Sequence, residues 1–229
     1  MTMPSFRVEP REGHMDRVKR IYCYLAKFKH ATIRIRTEEP DMPGLLDQNF
    51  DREESIYGNV SEVLPDDAPP PRGKHVLTIS YHDANLFRNL ITGRSVTGII
   101  HFLNKTPVDW YCKKQATVET AAYGSECSSA KTCVEQIMDL RNTLRYLGVP
   151  IRTKSFMFGD NRSVVDSSMT PHAKIHKRHV ALSFHRVREA IATKIIGYYF
   201  IPGKINPADI LSKHWGHPQV WPMLQPILF

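Results

Sequence analysis

The chain has 229 residues, 41% of them hydrophobic, which is enough for one large domain or for one domain with a smaller partial one. Its formal net charge of +8 favours a polyanionic partner, of which nucleic acid is the commonest. The four cysteines, Cys23, Cys112, Cys127 and Cys133, form no CxxC pair, and a chain of this size needs no disulfide framework, so reduced thiols are expected. The N-terminus MTMPSFRVEPREGHMDR lacks the apolar stretch of a signal peptide, and no apolar run is long enough to span a bilayer; the chain reads as intracellular, with no membrane partner.

Residues 1–37 form a basic zone. Within it GHMDRVKRIYCYLAKF predicts a helix with Val18, Ile21, Tyr22 and Leu25 on one stripe, and ATIRIRT alternates as a strand does. One helix and one strand cannot enclose a core, so this zone must dock elsewhere, as the end of a larger upstream domain would. Residues 38–74 are acidic and turn-rich, ending in PDDAPPPRGK. Three consecutive prolines favour an extended linker poor in hydrogen bonds, which marks a domain boundary.

Residues 75–229 form the ordered unit. HVLTISYHDA predicts a strand with Leu77, Ile79, Tyr81 and Asp83 on one face. SVTGIIHFL is a second strand, and residues 108–112 a third. A long helix is expected over 117–147, with Tyr123, Cys127, Ala130, Val134, Ile137, Leu144 and Leu147 on its apolar stripe and Gly148 as its C-terminal cap. The strand through FMFGD places Phe156, Phe158 and Asp160 on one face. A basic helix is expected over 172–193, then a strand in IIGYYFI. A short helix follows, capped by Asn206 with Pro207 at its first position. The order is β β β α β α β α.

Asp83 and Asp160 each end an otherwise apolar strand face, where a carboxylate is costly to desolvate unless something positive neutralises it. Glu126 lies beside the stripe of the long helix, and Asp209 sits in the first turn of the last one. Singly, each acid has a structural reading: Asp209 can serve a helix N-terminus, and Asp160–Asn161 can be a turn. Together they suit two-metal phosphodiester hydrolysis, with oxygen ligands for Mg²⁺ or Mn²⁺.

These motifs resemble, in order, those of the ribonuclease H domain of Ty1/copia-type LTR retrotransposon Pol polyproteins. YHDAN at Asp83, GRSVTGIIHFLNKTPVDWYCKKQATV, FGDNRSVV at Asp160, HKRHVALSFHRVRE and NPADILSKHW at Asp209 carry the resemblance. The segment PREGHMDRVKRIYCYLAKF resembles the end of that family's reverse transcriptase region. One departure concerns the helical glutamate, where AYGSEC replaces the usual Ser-Thr-Glu-Ala-Glu-Tyr; Glu119 competes with Glu126, and the spacing from KKQ to LRYLG favours Glu126.

The resemblance implies an α/β fold, ribonuclease H-like, with a mixed five-stranded sheet and helices on both faces. It implies that Asp83, Glu126, Asp160 and Asp209 hold two Mg²⁺ or Mn²⁺ ions and that the enzyme cuts the RNA strand of RNA–DNA hybrids. It further implies a partnership with an upstream reverse transcriptase domain, and a cytoplasmic, particle-associated location. Arg94, Ser95, Lys113, Lys114, Gln115, Asn161, Lys177, Arg178, His179 and His185 are the candidate contacts to the nucleic acid. His172 and His176 have i,i+4 spacing that would suit zinc, although no cysteine lies close in sequence. Rival readings are a non-catalytic nucleic-acid-binding module on the same fold, an integrase-type nuclease, and an inactive element fragment. The order of the acids, with the glutamate between aspartates and a fourth acid following, favours ribonuclease H over an integrase.

Overall fold

The computed structural model describes residues 9–42, 45, 57, 58, 60–64, 66–89, 91–175 and 178–228. Five strands form the sheet: β1 (Thr78–Asn89), β2 (Arg94–Leu103), β3 (Thr106–Lys114), β4 (Ser155–Gly159) and β5 (Ile196–Phe200). Their order across it is β3-β2-β1-β4-β5. β1 pairs antiparallel with β2 and parallel with β4, and β4 pairs parallel with β5. The helices are α1 (Glu12–Lys27), α2 (Ala122–Tyr146), α3 (Arg162–Met169), α4 (Ala181–Ala192), α5 (Asp209–Ser212) and α6 (His217–Leu228).

Strand alternation sorts the side chains onto two faces. Leu77, Ile79, Phe156, Phe158 and Tyr199 cluster on one, with Tyr81, Phe102, Met42 and Leu45 packed against them. Ile99, Met157, Ile196 and Tyr198 lie on the other, beneath α2, α3 and α4. Cys127, Ala130, Val134 and Ile137 of the α2 stripe are fully buried there, each larger aliphatic contributing about 1.5–3 kcal/mol of transfer free energy. α5 packs on the first face, over Gly98 of β2: a Cβ at Gly98 would stand 2.7 Å from the Ala208 carbonyl oxygen and 3.0 Å from Ser212 N. The expected mixed five-stranded sheet with helices on both faces is therefore present.

Several boundaries differ from the sequence reading. β1 runs on to Asn89, with a register irregularity after Asn85; Phe87, at φ 51, lies within it. α2 starts at Ala122 rather than at 117, and Glu119, before it, pairs with His179. Among the described residues of the basic stretch 172–193, the helix begins at Arg178, first as one 3₁₀ turn and then as α4. Leu147 is 71% exposed, off the apolar stripe, whereas Gly148 takes φ 70 as a C-terminal cap requires.

The segment 31–37 is not a strand, because its backbone is held by side chains. Arg36 N donates to Thr106 Oγ1 at 2.7 Å, and the Thr37 carbonyl accepts from Asn104 Nδ2 at 2.8 Å. Within 38–74, several residues also contact the sheet unit. Glu39 pairs with Arg152. Glu62 takes two guanidiniums, from Arg141 at 2.8 Å and Arg145 at 2.6 Å. Burial opposes ionisation of Glu62, but the two arginines outweigh it and hold its pKa down at about 2. α1 has no buried residue; at its end Phe28 packs on His217 and Trp221 of α6.

Candidate active site

Asp83 sits one residue past the end of the β1/β4 pairing, whose last partners are His82 and Gly159, and Asp160 directly follows β4. Parallel neighbours thus present two carboxylates at their common C-terminal end. Glu126, on the first turns of α2, joins them: its Oε1 accepts from Ala84 N at 3.2 Å. One ligand atom from each of Asp83, Glu126 and Asp160 lies within 4.8 Å of the others. Glu119 stands apart, paired with His179 Nε2 at 2.8 Å.

Asp209 reaches the group from the opposite direction, carried by α5. Asn206 places that helix: its buried amide donates to the His82 carbonyl at 3.0 Å, while its Oδ1 accepts from Ala208 N at 3.1 Å. Lys213, four residues on, inserts its ammonium among the acids. Nζ lies 2.7 Å from Asp209 Oδ1, 3.1 Å from Asp83 Oδ1 and 3.7 Å from Asp160 Oδ2. The second oxygen of Asp83 accepts from the Ser212 hydroxyl.

Crowded acids of like charge resist ionisation, and Glu126, Asp160 and Asp209 show it. Burial pushes the Glu126 pKa well up, with Asp83 and Asp160 adding to it. Burial and Asp83 raise Asp160. The same two causes raise Asp209 to about 7 despite its bond to Lys213. Burial works against the Lys213 charge, but Asp83 and Asp209 outweigh it and raise its pKa. Behind Glu126, His82 is fully buried between Tyr198 OH at 2.8 Å and Ser129 Oγ at 3.3 Å. Desolvation lowers its pKa to about 4, so it stays neutral. Glu126 Oε2 is buried without a hydrogen-bond partner. An orphaned carboxylate oxygen among acids with raised pKa fits a hard divalent cation.

No protein-family model matches the chain. Over 141 residues, 62% of its length, it is 23% identical to the retrovirus-related Pol polyprotein from transposon TNT 1-94 of Nicotiana tabacum. Over 142 residues it is 22% identical to that from transposon RE2 of Arabidopsis thaliana. The chain is similar to retrotransposon Pol polyproteins. It spans about a tenth of the length of these relatives. Among solved structures, it is similar to the N-terminal RNase H domain of a Mycobacterium tuberculosis protein, with 14% identity and a TM-score of 0.47 over 66% of this chain and 97% of that one. It is also similar to an RNase H1 from compost, LC11, in complex with an RNA/DNA hybrid, with 15% identity and a TM-score of 0.47 over 58% of this chain and 92% of that one.

The flanking candidates fall into three groups. Arg94, Lys113 and Arg178 are exposed. Asn161 caps α3, accepting from Val164 N at 3.2 Å, and His185 bonds Tyr57 at 2.7 Å. Ser95 and Gln115 are buried. Gln115 is consumed internally, donating to Thr97 Oγ1 and the Ser125 carbonyl, and so ties the start of α2 to β2. Lys177 and His176 lie outside the described residues. The sequence reading missed Lys213 and His82 as members of the site. The i,i+4 spacing of Asp209 and Lys213 was the available signal for the first; His82, alternating out of phase with Asp83, had none.

Proposed function

We propose that the unit from residue 75 onward is a ribonuclease H-type endonuclease that hydrolyses the RNA strand of RNA–DNA hybrids, working beside a reverse transcriptase domain upstream in the same polyprotein. The observation that carries this is the meeting of Asp83, Glu126 and Asp160 within 4.8 Å at the C-terminal end of the β1/β4 pairing. The similarity to Pol polyproteins adds support. Asp83, Glu126, Asp160 and Asp209 would hold two Mg²⁺ or Mn²⁺ ions. Such ions supply Lewis acidity at the scissile phosphate and an acidified attacking water.

The protein's own groups supply the rest. Glu126 is fixed by the Ala84 amide through one oxygen, and its second oxygen, 3.8 Å from His82 Nδ1, is left without a hydrogen bond. Neutral His82 holds the floor of the site without adding a competing charge. Exposed Arg94, Lys113 and Arg178, with Lys177, would pair with backbone phosphates, giving affinity without sequence choice. His179, anchored on Glu119, lies at the N-terminal edge of α4, where it is half-exposed to a bound strand. The reading places the protein in the cytoplasm, within the particle in which reverse transcription proceeds.

The test is cleavage of a labelled hybrid with Mg²⁺ or Mn²⁺ by wild type and by Asp160→Asn. Metal-dependent cleavage that disappears in the variant is the expected result. No cleavage by either protein, with hybrid binding retained, would replace the enzyme by a binding module of the same fold.

A further inference from the structure

Lys213 stands where cations are wanted most. Its ammonium donates to Asp209 at 2.7 Å and Asp83 at 3.1 Å, and stands 3.7 Å from the Asp160 carboxylate. One positive charge is set against four acids, since Glu126 joins Asp83 and Asp160 in the same cluster. A divalent ion drawn to these acids needs the same oxygens, at about 2.1 Å for Mg²⁺. An ammonium left between them would repel it at close range. The lysine is not locked in place. It is the C-cap of a four-residue helix, with an extended backbone, and 31% of its side chain is exposed. Its flexible stem can carry the charge outward.

We propose that Lys213 is a displaceable counter-cation: its ammonium and divalent metal compete for Asp83, Asp160 and Asp209, and metal binding drives the side chain out to pair with a phosphate of the bound strand. This rests on the metal-dependent reading above. It adds that the site is self-neutralised before metal arrives, and that ion loading and one backbone contact are a single event. The closed form keeps the acids from repelling one another apart. The open form returns the lysine charge to the surface where polyanion binds.

Two measurements test it on the full chain. In wild type, acylation by an N-hydroxysuccinimide ester at fixed pH is read by mass spectrometry, with exposed Lys105 as the internal control. Lys213 should be protected in chelator, and saturating Mg²⁺ should raise its labelling by at least about fivefold as its carboxylate partners are taken over. Mn²⁺ titration followed by electron paramagnetic resonance, without nucleic acid, should show Lys213→Met binding the ion at least about tenfold more tightly than wild type. Lys213 labelling that stays unchanged while bound Mn²⁺ is detected overturns the displacement. If hybrid is still cleaved under those conditions, the nuclease reading survives it. If wild type binds no Mn²⁺, or binds it as well after Asp83→Asn, both readings fall.

Discussion

Asp209→Asn, studied without metal, turns the crowding of the acids into a pH dependence. The wild-type carboxyl is raised to about 7 by burial and by Asp83. A carboxyl whose folded pKa exceeds its unfolded value keeps a proton in the native state that the unfolded chain has lost. Its stabilising contribution is complete at low pH and fades as pH climbs through about 4 to about 7. The full gap corresponds to at most ~4 kcal/mol. Asp160, raised by the same crowding, takes up part of the change, which reduces the expected effect to about 2 kcal/mol. His82, buried neutral, makes stability rise with pH between about 4 and 6.5, but it is present in both proteins and cancels in the comparison. In a chain of this size, 2 kcal/mol is about 4–8 °C in Tm. Circular-dichroism melts in chelator at about pH 5 and about pH 8 should therefore show wild type losing that much relative to Asp209→Asn as pH rises. Adding Mn²⁺ at the higher pH should restore wild type more than the variant. A difference that stays constant, or moves in favour of wild type, would refute the assignment of Asp209 to the strained cluster.

Gly98→Ala should push α5 off the sheet, since the added Cβ meets the Ala208 carbonyl at 2.7 Å; a loss of about 1–3 kcal/mol in denaturant melts and a marked fall in hybrid cleavage are expected together. Glu62→Gln should cost about 2–3 kcal/mol at neutral pH by leaving Arg141 and Arg145 uncompensated. Because the Glu62 pKa is depressed to about 2, that difference should shrink as pH falls from about 4.5 towards 2, which acid melts would follow. The double change Lys177→Ala, Arg178→Ala should weaken hybrid binding and reduce the log–log salt slope by about two, read by fluorescence anisotropy at several ionic strengths; an unreduced slope would remove both residues from the phosphate contact.

The strands were legible because alternation is a local property. Leu77, Ile79 and Tyr81 share the face that the period of two assigns them, and Phe156 and Phe158 share theirs. The acids were legible as exceptions at the ends of those faces. What escaped depended on contacts between distant segments. Residues 31–37 alternate like a strand, yet their backbone bonds go to Asn104 and Thr106, some 70 residues on. Ser95 and Gln115 are polar in a polar stretch and read as surface, but Gln115 satisfies Thr97 and Ser125 inside the fold. The choice between Glu119 and Glu126 rested on spacing alone until His179 was seen to hold the first.

Asn206 extends the sheet by a single side chain. Pairing between β1 and β4 stops at His82 and Gly159, and the next donor to β1, at the His82 carbonyl, is the Asn206 amide. A substitute of one residue satisfies the backbone without continuing the strand, so β1 and β4 can part at that level. A longer β4 would have carried backbone pairing on to the level of Asp83; instead an amide group, not a strand, closes the ladder there, and Asp83 and Asp160 stand just beyond the last pair.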